Sequence, residues 1–212
     1  MLIKPTDSTK DHLAQATWRN IRTAASIAGR YSIANKRNIR GERREFACRT
    51  VSISTEAIAL TGPVRGTAGE RVIAHFDELG KIDGQIVRLV RDGFVMSVRL
   101  PDAERARLAS KIDWLDRHKN YRLPDDRKHR RIIPKRPHST VMLADGTVMG
   151  CFVIDMSVSG VAVSADITVQ LGDVLAVGKV IGRVVRIFPE GFALRFIELQ
   201  HPDQLESWLI QI

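Results

Sequence analysis

Apolar and polar residues alternate in short runs along most of the chain, and glycine-centred pairs interrupt the runs. Val51, Ile53, Ile58 and Leu60 alternate with small or polar neighbours, and so do Val161 and Val163. Gly69-Glu70, Asp92-Gly93, Asp145-Gly146, Gly172-Asp173 and Glu190-Gly191 supply the turns. Asp145-Gly146, set between 140–144 and 147–154, is a hairpin signal. Short strands at even spacing predict small antiparallel barrels, because closure removes exposed strand edges. Two stretches switch to helical spacing. Leu108, Ile112, Trp114 and Leu115 form one, and Leu205, Trp208 and Leu209 the other. Each such helix would cap a barrel mouth or meet a partner. A further helix is expected over Ser8 to Ala25.

The pattern occurs twice. Residues 46–60 align with 150–163 when Cys48 is set on Cys151, and residues 69–100 align with 172–199. Val87-Arg88 then falls on Val185-Arg186, and Gly93-Phe94 on Gly191-Phe192. The expected organisation is an N-terminal helical segment (1–25), a barrel with a terminal helix (26–120) and a second barrel with its helix (121–212). The fold class is mainly β.

Composition narrows the function. At 212 residues, with 44% hydrophobic residues, the chain can bury a real core. No apolar run reaches the roughly 18–20 residues of a membrane helix, and the opening residues have no signal-peptide core. Insertion into a membrane is therefore not expected. Two cysteines cannot frame a disulfide-stapled fold, so a reducing, cytoplasmic setting is expected. Cys48 and Cys151 read as small buried strand residues in preference to a redox pair. The six histidines show no metal-ligand spacing. Motifs for nucleotide hydrolysis and acyl transfer are missing. No metal, no cofactor and no enzymatic activity are expected.

The net charge of +9 points to an anionic partner. It is concentrated in two segments: 30–50 carries seven Lys/Arg against two acidic residues, and 117–138 carries nine against two. Repulsion within 117–138 predicts a mobile segment around Arg127–Arg131 that an anion would order.

In that segment, Arg127, Arg130 and Arg131 precede the second barrel, and Asp155-Met156-Ser157-Val158-Ser159-Gly160 follows within it. This resembles the PilZ family, whose signature is R-x-x-x-R on an N-terminal arm followed by [DN]-x-S-x-x-G on the barrel. Arg127 and Arg131 fill the first motif, with Arg130 in support. Asp155, Ser157 and Gly160 fill the second. The resemblance covers essentially all of 123–212. It implies a six-stranded antiparallel barrel with a C-terminal helix that binds the second messenger cyclic di-GMP. The residue types suit that ligand. Arginine forks bond phosphate or guanine O6 and N7, and a carboxylate accepts from guanine N1–H and N2–H₂. A strand places Asp155 and Ser157 on one face, and Gly160 would let the backbone turn and approach the ligand.

The first copy departs from the signature. Ser52, Ser54 and Ala57 stand where Asp155, Ser157 and Gly160 stand, so the carboxylate is missing. Arg40 and Arg44 have the arginine spacing but lie just before Cys48, within an expected hairpin loop. The first barrel therefore resembles a degenerate PilZ domain that packs on the second or signals for it. The resulting expectation is a bacterial cyclic di-GMP receptor whose ligand changes the geometry between the barrels. The resemblance connects it with motility, attachment or polysaccharide production, and with a downstream protein partner engaged through the first barrel. Two rivals remain. One is a protein-interaction adaptor without nucleotide. The other is a nucleic-acid binder, the weaker reading, since only Tyr31, Phe46 and Tyr121 lie near the basic segments for stacking.

Overall fold

The computed structural model describes residues 26–38, 40–117 and 130–211. The expected helix over 8–25 and Arg127 lie outside them. Six strands, β1 (Ala28–Ile33), β2 (Phe46–Ile53), β3 (Ala57–Thr61), β4 (Arg71–Phe76), β5 (Gly80–Val90) and β6 (Gly93–Ser97), close into a barrel in the order β1-β2-β3-β6-β5-β4. Helix α1 (Asp102–Arg117) follows. The second barrel has β7 (His138–Met142), β8 (Val148–Ser157), β9 (Gly160–Ala165), β10 (Val174–Val177), β11 (Val180–Phe188) and β12 (Gly191–Phe196), then α2 (Pro202–Leu209). Its closed order, β7-β8-β9-β12-β11-β10, is the same circuit. The chain is thus two six-stranded antiparallel barrels in tandem, each followed by a helix.

The repeat extends to the irregularities. Each barrel has one extra residue in its second strand, Val51 between Thr50 and Ser52 and Ile154 between Val153 and Asp155. Each has another in its fifth strand, Val87 and Val185. Such β-bulges shift the alternation by one residue. Strict alternation puts Val51 on the same face as Ile53. In the structure Val51 is 54% exposed, while Thr50 and Ile53 point inward.

Each core is filled by inward-facing apolar residues. Tyr31, Phe46, Ile58, Leu60, Phe94 and Met96 fill the first, with Leu108 and Ile112 of α1 plugging it. Val141, Val153, Met156, Val163, Phe192 and Leu194 fill the second, plugged by Leu205 and Leu209 of α2. Trp114 and Trp208 lie on the outer sides of these helices. Cys48 and Cys151 are free thiols in the two cores, and burial raises both, Cys151 to about 12. That suppresses the reactive thiolate. Among the described residues no helix is long and apolar enough to cross a membrane.

The barrels meet along a polar seam. The β1–β2 connection reaches across it: Lys36 Nζ and Arg44 Nη1 lie 3.2 and 3.0 Å from the two carboxylate oxygens of Asp166, and Arg44 also donates to the Ala165 and Ile167 carbonyls. Further along, the Ala47 amide donates to Ser164 Oγ (3.0 Å). Thr61 Oγ1 donates to the Asp92 carbonyl (2.7 Å), so it accepts from His138 Nε2 at 2.6 Å. The His138 ring stands edge-on to Phe152, with centroids 5.7 Å apart.

Burial pulls the His138 pKa below its ordinary 6.5, against the opposing pull of Asp92, while Arg65 pushes it down further. The folded protein therefore binds a proton at this site less readily than the unfolded chain. Its stabilising share is complete above about pH 6.5 and is lost as pH falls from there towards the folded value. Urea midpoints at pH 7.5 and 5.5 should fall further on acidification for the wild type than for His138→Gln. Equal falls would show that His138 carries no part of the pH dependence.

Candidate functional site

The chain leading into β7 runs beside the end of β8 before it enters the barrel. Ile132 and Met156 exchange both backbone hydrogen bonds, at 2.7 and 2.9 Å, and the Val153 amide donates to the Pro137 carbonyl. The Lys135 amide donates to Glu206 of α2. This lays residues 130–137 along the barrel wall. Of the segment expected to be mobile, Arg127–Arg131, the described residues are Arg130 and Arg131, and Arg131 makes a contact with the barrel. Arg131 Nη1 donates to Asp155 Oδ2 at 2.7 Å, with both side chains partly exposed. Arg130 is exposed.

Asp155 and Ser157 face outward on β8, with buried Met156 between them. Ser157 Oγ lies 3.2 Å from Ser159 Oγ and donates to the Gly160 carbonyl at 3.4 Å, closing the β8–β9 turn. Gly160 serves a different end from the one read in the sequence. Its φ is not positive, and an added Cβ would run into the Leu194 carbonyl of β12. The residue is small so that β9 and β12 can approach. The structure therefore brings Arg131, Asp155, Ser157 and Gly160 to one end of β8 and β9. Arg127 lies outside the described residues.

This geometry joins a basic arm to a [DN]-x-S-x-x-G turn on a closed barrel, and a family model described as the PilZ domain matches residues 125–211. The second barrel is a PilZ domain. The first barrel lies outside that match and repeats the PilZ circuit and both bulges. Among curated proteins none matches the sequence. Solved structures similar to the chain include the Bacillus subtilis inhibitor of motility (15% identity, covering 88% of this chain and 94% of that one, TM-score 0.29). The Borreliella burgdorferi PlzA protein in complex with c-di-GMP is another (13%, 98% and 91%, 0.27), as is Escherichia coli YcgR in complex with c-di-GMP (15%, 97% and 92%, 0.27). Likeness at this level carries no functional argument, and the PilZ assignment rests on the family match.

In the first barrel, Ser52, Ser54 and Ala57 occupy the places of Asp155, Ser157 and Gly160 by strand register. Ser54 Oγ is taken up within the β2–β3 turn, accepting from the Glu56 and Ala57 amides. Arg40 and Arg44 lie in the β1–β2 connection, and Arg44 holds the seam. Sequence reasoning missed Arg49. This residue lies outward on β2, is 9% exposed, and donates from Nη2 to the Ile154 carbonyl at 3.0 Å, next to Asp155. A lone arginine inside the apolar run 46–53 was the available signal. Among the described residues no group of three or more His, Cys, Asp or Glu side chains forms a metal site.

Gly160→Ala should destabilise the PilZ domain by about 1–3 kcal/mol, the usual cost of overpacking. Gly150→Ala, at a position with open space around it, should change stability little. Denaturant unfolding of the two variants checks this, and equal stabilities would remove the packing argument.

Proposed function

We propose that the protein is a receptor for cyclic di-GMP that binds it on the PilZ domain and performs no chemistry on it. The observation that carries this reading is the Arg131–Asp155 contact at 2.7 Å. It brings the two halves of the split signature to one place, with a guanidinium for phosphate beside a carboxylate for a guanine edge. Arg127, Arg130, Ser157 and Gly160 complete the proposed site, and no cofactor is needed.

The Arg131–Asp155 pair is partly exposed, so parting it costs at most about 1 kcal/mol. A dianionic ligand offers more than that through charged hydrogen bonds. The pair thus holds both residues close to position while remaining exchangeable. Because β8 also carries the seam, ligand binding there is proposed to change the geometry between barrels and to signal to a protein partner through the first. Control of motility, attachment or polysaccharide production is the output that the family resemblance suggests.

Arg131→Ala and Arg127→Ala should each weaken cyclic di-GMP binding by about 1.5–3 kcal/mol, roughly ten-fold to over a hundred-fold. Arg40→Ala, on the β1–β2 connection, should leave it near the wild-type value. Calorimetric titration reads all three, with GTP and a short DNA duplex as controls, and tight binding of the duplex would favour the nucleic-acid reading. Asp155→Ala should weaken cyclic di-GMP and narrow its advantage over cyclic di-AMP, because a site built to accept guanine's N–H donors rejects a base lacking them. The geometric step has its own check: small-angle scattering profiles with and without ligand should differ, and superimposable profiles at saturation would leave a receptor without that switch.

A further inference from the structure

A row of apolar side chains that includes no signature residue stands on the outer wall of the second barrel. Val148, Met142, Ala176 and Ile181 are register partners across β8, β7, β10 and β11, and the Ile197 amide, just past β12, donates to the Ile181 carbonyl. Their strand neighbours Val141, Val177 and Val180 lie in the core, so the row faces out. Val148, Met142, Ile181 and Ile197 are 45–65% exposed. The backbone plan does not require this. Counted from the same bulges, the first barrel has Glu45, Ser32, Ile73, Asp83 and Arg99 at these positions. There Glu45 pairs with Arg30, Asp83 pairs with Arg71, and Arg99 donates to Gln85. The first barrel thus shows the row in a form suited to water, and the second carries Val148, Ile181 and Ile197 in place of its three charges. Contiguous exposed apolar patches mark contact sites.

Ala176, in the middle of the row, has the shortest side chain and is 6% exposed. It is the floor of a shallow groove along β10, walled by Met142 on β7 and Ile181 on β11. The walls rise from strands two spacings apart, roughly 9–10 Å. That is near the girth of a helix with its side chains, about 10–12 Å. Two residues along the strands, on the same face, the charged neighbours are Lys179, Arg183 and Arg195, all exposed. Of the acids next to the row in the chain, Asp173 is taken up by the Gln170 amide, which leaves Glu198 against three cations. We propose that this groove binds a protein partner through an amphipathic helix whose apolar ridge lies along β10 and whose flanks carry Asp and Glu. Charge and shape decide among the occupants. A second copy would set Lys179, Arg183 and Arg195 against their own kind, and residues 1–25 of this chain carry four Lys/Arg against two Asp. A lipid surface would touch the tips of Met142 and Ile181 and leave Ala176 uncovered, whereas a helix ridge fills the recess. The inference is independent of the cyclic di-GMP reading, which concerns the signature on β8 and β9.

The test is selection of a displayed library of randomised helical peptides on the full chain, with the double variant Ile181→Asp/Ile197→Arg as counter-selection. That variant installs the pair that the first barrel carries at the same place, Asp83 and Arg99, so it should fold, and its denaturant midpoint checks this. Should it not fold, Ile181→Ser takes its place. Enriched peptides should carry apolar residues three and four apart, flanked by Asp and Glu. Fluorescence anisotropy of an enriched peptide should show binding about ten-fold or more weaker on the variant. Lys179→Glu should also weaken it at low salt, and added salt should weaken binding to the wild type. No enrichment on the wild type over the variant, or enrichment of basic peptides, overturns the proposal. A wild-type dimer in sedimentation that the variant does not form also overturns it, by seating a second copy in the groove. Binding to phosphatidylcholine–phosphatidylserine vesicles that the variant abolishes overturns it as well, by making the face a membrane contact.

Discussion

One extra residue in β8 sets the arrangement on which the site depends. Ile154 interrupts the pairing with β9, so Ile154 and Asp155 both lie on the outer side of the barrel while Val153 and Met156 remain inside. Without that bulge, strict alternation would place Asp155 on the core side along with Val153. A buried carboxylate there would have no partner. With the bulge, the Ile154 carbonyl turns to Arg49 of the first barrel and the Asp155 carboxylate to Arg131 of the arm. The same irregularity in β2 brings out Val51 and Ser52 instead. The two copies keep one backbone plan and differ in what it presents.

Charge follows the same division. Of the two basic segments, the one in the first barrel is largely spent inside the molecule. Lys36 and Arg44 pair with Asp166, Arg30 with Glu45, and Arg49 enters the seam. Of the other segment, residues 130–137 run along the PilZ wall, with Arg130 exposed and Arg131 paired with Asp155. Part of the high net charge therefore docks one barrel on the other, and part stands exposed on the second barrel.

The seam is polar along the β1–β2 connection. Among the described residues, ion pairs and single hydrogen bonds cross it, and the large apolar cores stay within each barrel. Interfaces of this kind permit relative motion, because few kilocalories separate one docking from another. The end of β8 that carries Asp155 belongs to the strand whose Ile154 carbonyl accepts from Arg49 of the first barrel.

Much of this was legible in the chain. Turn residues at even spacing, alternating apolar positions and the internal alignment of 46–100 with 150–199 gave the strands, their closure and the duplication, since these depend on local chemistry and period. The paired signature singled out Arg127, Arg131, Asp155, Ser157 and Gly160 because charged and small residues at fixed spacing are visible without coordinates. The sequence did not carry the bulges, which moved Val51 outward, because one extra residue looks like ordinary alternation until a partner strand sets the register. The role of Gly160 beneath the Leu194 carbonyl was equally hidden, since β12 lies far along the chain. Arg49, His138, Thr61 and Asp166 were ordinary polar residues until two barrels met. Contacts between residues remote in sequence follow from how surfaces dock, and docking is a property of the folded shapes that no spacing along one chain records.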